Sequence, residues 1–366
     1  MHARSGTAPV VERLSVRTVT VPTDAHEADG TAEWDSTTVL IVEAHCGEHT
    51  GLGFSYTAAA AAAVVEELLS SCVVGHDALS PPAAWARMRR TIRNAGYPGI
   101  AASAISAVDV ALWDLKARLL ELSLSVLLGR VRDHATVYGS GGFTSYSDEQ
   151  LERQLRGWVD QGIRAVKMKV GTEPERDPAR VLNARAAIGD GVRLMVDANG
   201  AYQRKQALAL AEVFAQESDI CWFEEPVTSD DLEGLRLLRD RAPARISIAA
   251  GEYGYSLFDF RRLLEAGAVD VLQADVTRCG GITEMVQVAA LCQAHAVRLS
   301  AHTSPSLHAH LGVALEPMES IEYFHDHVRI EELLFDGLPQ LRDGALWPDP
   351  ALPGHGISLR ADAPRD

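Results

Sequence analysis

From Thr136 onward the chain repeats one pattern, a short apolar run followed by a stretch of helical periodicity, at roughly 25-residue intervals. The apolar runs fall at 137–138, 165–170, 194–197, 221–223, 246–249, 269–272, 297–300 and 321–324. The helical stretches between them include 148–158, 179–188, 206–214, 232–239, 257–264 and 283–294. Eight strand-plus-helix units at this spacing predict an α/β fold of the (β/α)8 TIM-barrel type, with parallel strands inside and helices outside. A doubly wound open sheet has the same alternation, so the rhythm by itself leaves both architectures open.

The first 134 residues lack that rhythm. Residues 37–44 are β-rich, and the glycines of 47–53 mark a hairpin or loop. The alanine run 58–63 leads into a helix through 64–69, and 100–120 carries the amphipathic pattern of a long, well-buried helix. This divides the chain into an α+β module over 1–134, a barrel over 135–332, and a final segment, 333–366, expected to pack back on the first module. Pro339, Pro348, Pro350 and Pro353 predict irregular structure in that segment, with a strand at 356–359.

Composition narrows the function classes. With 47% hydrophobic and 23% charged residues the chain can bury a core, which excludes disorder as its main state. A net charge of −16 opposes a nucleic-acid or anionic-membrane partner, since both need clustered positive charge. No apolar run reaches the roughly 18 residues needed to span a bilayer, and residues 1–6 lack the apolar core of a signal peptide. Cys46, Cys72, Cys221, Cys279 and Cys292 are odd in number and form no C-x-x-C pair, which supports neither a disulfide framework nor a zinc site. The expectation is a cytoplasmic protein whose partner is a small molecule.

Lysine usage points to the chemistry. Only Lys116, Lys167, Lys169 and Lys205 stand among 34 basic residues, and two of them share the run Arg164-Ala165-Val166-Lys167-Met168-Lys169-Val170. Strand alternation places Val166, Met168 and Val170 on one face, against the outer helices, and both lysines on the other, pointing into the barrel. Buried ammonium groups need compensating anions, and arginine, unlike lysine, cannot give up its proton. The next strands supply the anions: Asp197 ends the third, Glu224 the fourth and Glu252 the fifth, each at the mouth where barrel active sites lie. Three ionised carboxylates close together require a cation, and a hard divalent ion with oxygen ligands, Mg²⁺, is the simplest one. Across the ring, Asp275 after the sixth strand and His302 after the seventh can form a carboxylate–imidazole pair, with one ring nitrogen left to move a proton. Glu322 lies on the eighth strand.

These positions resemble those of the enolase superfamily, mandelate racemase subgroup, over about 136–332, and the first module is similar to that family's α+β capping domain. The resemblance implies that Asp197, Glu224 and Glu252 bind Mg²⁺ and that Lys169 is one acid/base. Lys167 would neutralise the substrate carboxylate and help to lower the pKa of Lys169. His302, oriented by Asp275, would be the acid/base on the opposite face. Glu322 would hydrogen-bond the carboxylate, with Asn199 near metal or substrate. The implied reaction is abstraction of the proton α to a carboxylate, with Mg²⁺ stabilising an enediolate. Its expected outcome is dehydration of an acid sugar to a 2-keto-3-deoxy acid, with racemisation, epimerisation or cycloisomerisation as alternatives. The muconate cycloisomerase and dipeptide epimerase pattern places a lysine at the sixth strand, and 273–280 contains none. A barrel that binds a metabolite without turnover is the non-enzymatic alternative, and a homo-oligomer is expected.

Other residues compete for roles. Alternation puts Glu225 on the face opposite Glu224, which favours Glu224 as the ligand. His308 and His310 are expected on the helix after the seventh strand rather than in a second metal site. His325-Asp326-His327 either lines the pocket or forms solvated loop. Gly280-Gly281 reads as a tight turn, Cys279 has no base to activate it, and Arg278 either contacts substrate or pairs on the surface. Two loops are expected lids, 22–34 with His26 and 51–57 with Phe54 and Tyr56, and they put His26 and Tyr56 forward as substrate contacts. The polarity of the first loop favours a sugar acid.

Overall fold

The computed structural model describes residues 8–364, so the reading of residues 1–6 lies outside it. Strands β1 (Arg13–Ala28), β2 (Glu33–Cys46) and β3 (His49–Tyr56) form an antiparallel meander. Its central strand is buried on both faces, which is why its sequence is a continuous apolar run rather than an alternating one. Val39 and Ile41 face the main core, while Leu40, Val42 and Ala44 face a second core with helical residues 61–73 and the helices Pro81–Thr91 and Ile100–Leu119. The alanine run does lead into helix, as Ala61–Val64, a π turn at Val65–Leu69, and Ser70–Val73.

The helix Ile100–Leu119 lies directly on β3. Gly51 and Gly53 permit this approach, because a Cβ at either position would run into the carbonyl oxygen of Ala111 or Ala107 respectively.

The barrel rhythm resolves to a closed ring. Its strands are β4 (Ala135–Gly141), β5 (Ala165–Lys169), β6 (Arg193–Asp197), β7 (Ile220–Glu224), β8 (Ser247–Ala250), β9 (Val271–Ala274), β10 (Arg298–Ala301) and β11 (Met318–Phe324). Each pairs in parallel with the next, and β11 pairs with β4, which excludes the open sheet. On β5 the outward residues Val166 and Met168 join the core under the outer helices, and Lys167 and Lys169 point into the ring. Tyr138, Met195, Trp222, Ala249 and Val271 form an apolar plug inside the ring. Register sets the polar layer: Lys169 is level with Asp197, and Asp197 with Glu224.

The C-terminal segment carries a strand at Ser358–Leu359 and also a hairpin, Gln340–Arg342 with Ala345–Trp347, that the proline content did not predict. The turn is Asp343-Gly344, with φ of 51° and 72°, as a tight two-residue hairpin requires. One hairpin strand pairs with β4, while the His355 amide donates to Asp114 at 2.8 Å and the Arg118 guanidinium to the Ile357 carbonyl at 2.9 Å. No helix among the described residues is long and apolar enough to cross a membrane.

Candidate active site

At the C-terminal mouth of the barrel lies a cavity of about 470 Å³. The ring contributes Lys169, Asn199, Glu252, Arg278, His302 and Glu322, and the N-terminal module closes over it with Asp29, Trp34, Thr37 and Tyr56.

Ion pairing organises the floor. Lys167 is fully buried, its Nζ 2.5 Å from Glu224 Oε1, 2.9 Å from Glu322 Oε1 and 3.5 Å from Asp197 Oδ2. Lys169 Nζ donates to Asp197 Oδ2 at 2.5 Å. Further hydrogen bonds hold the carboxylates in place: Asp197 accepts from the Asn199 amide at 2.9 Å, Glu224 from Trp222 Nε1 at 3.0 Å, and Glu322 from Ser140 Oγ at 2.6 Å and the Thr303 amide at 3.1 Å. Opposite the lysines, His302 lies between Asp275 and Glu252, with Nδ1 2.9 Å from Asp275 Oδ2 and Nε2 3.1 Å from Glu252 Oε2.

These contacts set the proton affinities. Burial and then the neighbouring Asp197 push Glu224 up to about 8. Burial would lower His302, but Glu252 and the Asp275 bond outweigh it and raise it to about 9. Burial would likewise lower Lys169, yet its value is raised, because the Asp197 carboxylate outweighs the repulsion from Lys167. Lys167 does act downward on Lys169 as expected, but the net shift is upward, because at 2.5 Å the Asp197 anion dominates the second cation.

Asp197, Glu224 and Glu252 each offer an oxygen within 4.8 Å of the others, and all three are buried. A buried, all-carboxylate donor set of this kind fits Mg²⁺.

The N-terminal part, residues 13–129, matches the mandelate racemase/muconate lactonizing enzyme N-terminal domain, and residues 150–363 match the enolase C-terminal domain-like family. The chain belongs to the mandelate racemase/muconate lactonizing enzyme family of the enolase superfamily. A mandelate racemase/muconate lactonizing enzyme-like protein from Rubrobacter xylanophilus superposes with a TM-score of 0.94 at 56% identity, over 96% of this chain and 98% of that one. The D-galactarolactone cycloisomerase of Agrobacterium fabrum is 32% identical over 88% of this chain and 89% of its own length. The L-talarate/galactarate dehydratase of Salmonella typhimurium, whose structure holds Mg and L-lyxarohydroxamate, gives a TM-score of 0.89 at 28% identity, over 99% of this chain and 95% of that one.

In this member of the family one side chain departs from the alternation rule. Glu225 does not point away from the site. Its φ is +36°, so the extended backbone ends at Glu224, and the buried Glu225 carboxyl is pushed up by burial and then by Glu252 and Asp197. Glu224, not Glu225, joins the three-carboxylate group. His308 lies on the helix Pro305–Ala314, where it accepts from the Val276 amide at 3.0 Å and donates to the Thr303 carbonyl at 2.7 Å, bracing the turns after β9 and β10. His310 is buried on the same helix, with neither ring nitrogen bonded among the described residues.

The lid residues divide. Tyr56 forms cavity wall by its ring, stacked on His327 at 3.3 Å, while its hydroxyl turns to Glu331. His327 lines the cavity too, whereas His325 faces Asp24. His26 does not reach the cavity: its exposed ring lies 3.4 Å from Glu33, and the wall from its loop is Asp29, Ala32 and Trp34. Arg278 lines the cavity and lies 3.6 Å from the buried Asp275, so its ion pair is not the surface pair that is one of the two expectations. Ser140, Trp222 and Thr303, which hold Glu322 and Glu224, carry no signal that sequence reasoning can isolate, because each is one polar group on an ordinary strand or turn.

Proposed function

We propose that this protein is a Mg²⁺-dependent enzyme that removes the proton α to the carboxylate of a polyhydroxylated acid and dehydrates it to a 2-keto-3-deoxy acid. One observation carries the reading: Lys169 and the Asp275-bonded His302 flank the three-carboxylate cluster from opposite arcs of one ring. Mg²⁺ held by Asp197, Glu224 and Glu252 would stabilise the charge that develops as the α-proton leaves, and would offset the Asp197 charge now acting on Lys169.

The chain's own groups do the rest. Lys167, beneath the cluster, supplies a fixed positive charge for the substrate carboxylate, and Glu322, in the carboxylic acid form that this second anion would favour, would donate to its far oxygen. Lys169, once neutral, takes the α-proton through Nζ. His302 as imidazolium gives the Nε2 proton to the departing β-hydroxyl, so that the C–O bond breaks and water leaves, and the resulting enol becomes the 2-keto acid. The polar cavity wall of Asp29, Thr37, Asn199 and His327 suits a substrate with several hydroxyls.

A second reading, cycloisomerisation of a sugar-acid lactone, is favoured by the 32% identity to the galactarolactone cycloisomerase. There the same proton abstraction expels a ring oxygen and no water is lost.

The test is incubation with Mg²⁺ and a panel of aldonic acids, aldaric acids and their lactones in D₂O. A dehydrated keto acid carrying solvent deuterium at C3, where the enol is protonated, is the expected result. A 2-keto-3-deoxy acid isomeric with the lactone supplied selects the second reading, and absence of any keto acid across the panel overturns both.

A further inference from the structure

A second cluster of metal-ligating groups lies outside the barrel mouth. The β1–β2 register shifts between Pro22 and Glu27, so residues 23–26 bulge out of the ladder. This carries Asp24 to the end of β11, where His325 Nε2 sits 3.1 and 3.0 Å from the two carboxylate oxygens. Glu27, on the other side of the bulge, is fully buried. Its Oε2 accepts from Trp34 Nε1 at 2.8 Å, and its Oε1 has no partner among the described residues. Asp24, Glu27 and His325 each present a ligand atom within 4.8 Å of the other two.

Charge around the cluster is unbalanced. Asp24 and Asp326 both act unfavourably on an ionised Glu27, and Arg329, which is already 2.6 Å from Asp326, is the cation that opposes them. Burial, with these acids, raises Glu27 to about 8. A buried carboxyl oxygen without a protein partner is satisfied by a proton, a water or a cation.

We propose that Asp24, Glu27 and His325 form a divalent transition-metal site, separate from the barrel carboxylates, that fastens the lid strand β1 to the end of β11. Two carboxylates and one imidazole are a Zn²⁺-type donor set, whereas Mg²⁺ prefers oxygen throughout. Binding replaces the His325–Asp24 hydrogen bond: the imidazole keeps a proton on Nδ1 and gives the Nε2 lone pair to the metal, while the Glu27 carboxyl gives up its proton to solvent. The site sits directly behind the cavity. Trp34, bonded to Glu27, and Phe324, next to His325 in the chain, both line its wall, so the metal would hold the lid in its closed position.

The test measures Zn²⁺ binding to the full chain by competition with a chromophoric chelator, in saturating Mg²⁺ so that the barrel carboxylates are occupied. One Zn²⁺ per chain is expected, retained in Asp197→Asn and weakened at least about tenfold in His325→Gln and in Glu27→Gln. Zn²⁺ should raise the melting temperature of the wild type and not that of these two variants, whose metal-free circular dichroism should match it. If Glu27→Gln does not fold, His325→Gln, at a partly exposed position, decides alone. No Zn²⁺ binding by the wild type, equal binding by His325→Gln, or loss of binding in Asp197→Asn overturns the proposal.

Discussion

Asp275 Oδ2 and His302 Nδ1 lie 2.9 Å apart, and because an ionised carboxylate only accepts, Nδ1 carries the proton and Nε2 is the atom turned to the cavity. Asp275 is itself fixed by the Thr277 amide and hydroxyl, both at 2.7 Å. Burial alone would raise its carboxyl, but the His302 bond holds it well below the usual carboxylate range.

Asp275→Asn removes this constraint without removing the imidazole. The amide can present its NH₂ to Nδ1 and favour the other tautomer, which leaves Nε2 protonated and uncharged. We expect kcat to fall by about 10²–10⁴ with KM changed far less. Steady-state kinetics on the substrate found in the panel check this, and a variant within a few-fold of the wild-type kcat would remove Asp275 from the mechanism.

The barrel carboxylates make a separate prediction. Asp197, Glu224 and Glu252 are buried within 4.8 Å of one another, so their mutual repulsion destabilises the fold unless a proton or a cation relieves it. Chelator treatment should abolish turnover and lower the melting temperature, and added Mg²⁺ should restore both. At a hundredfold excess over Kd the gain is about 2.7 kcal/mol. Asp197→Asn should lose most of the Mg²⁺ response, and a wild type whose melting is indifferent to Mg²⁺ would contradict the assignment of the site.

The barrel and its charged residues were legible in the sequence because both rest on strong local rules. Parallel strands covered by helices must be apolar outside, so Val166 and Met168 betrayed the inward direction of Lys167 and Lys169. Acids that follow apolar runs marked the strand ends at Asp197 and Glu224. The rules failed where the backbone stops being a strand. Glu225 at φ +36° turns back toward the site, and the bulge after Pro22 sends His26 to solvent while Asp29 and Trp34 reach the cavity. The lowered pKa expected for Lys169 followed from counting cations. The structure adds Asp197 at 2.5 Å, a pairing set by the level register of β5 and β6 that no single strand's sequence contains.

Close approach of the lid module to its own helix is testable at Gly53. A Cβ there meets the Ala107 carbonyl oxygen and the Ala111 backbone nitrogen, both parts of a rigid helix rather than movable side-chain ends. Gly53→Ala should therefore cost about 1–3 kcal/mol or more, since the helix Ile100–Leu119 must shift away from β3. A melting temperature equal to that of the wild type would show that the interface gives way at no cost.

Glu331 provides a pH test away from the metal ligands. It is buried behind the Tyr56–His327 stack, where it accepts from the Ser306 amide at 3.1 Å and the Tyr56 hydroxyl at 3.4 Å. Burial outweighs these bonds and raises its carboxyl from 4.5 to about 8. The unfolded chain releases this proton near the lower value, so between the two the folded chain binds more protons. Stability from this group is therefore fully present below about 4.5 and declines as pH rises toward 8. In Glu331→Gln the group cannot titrate and the decline disappears. The melting-temperature difference between wild type and Glu331→Gln, followed from pH 5 to pH 8, should move against the wild type, by on the order of a few kcal/mol in free energy. A difference that stays constant over that range would mean that Glu331 is already ionised at the acid end, with its charge carried by the Ser306 and Tyr56 bonds.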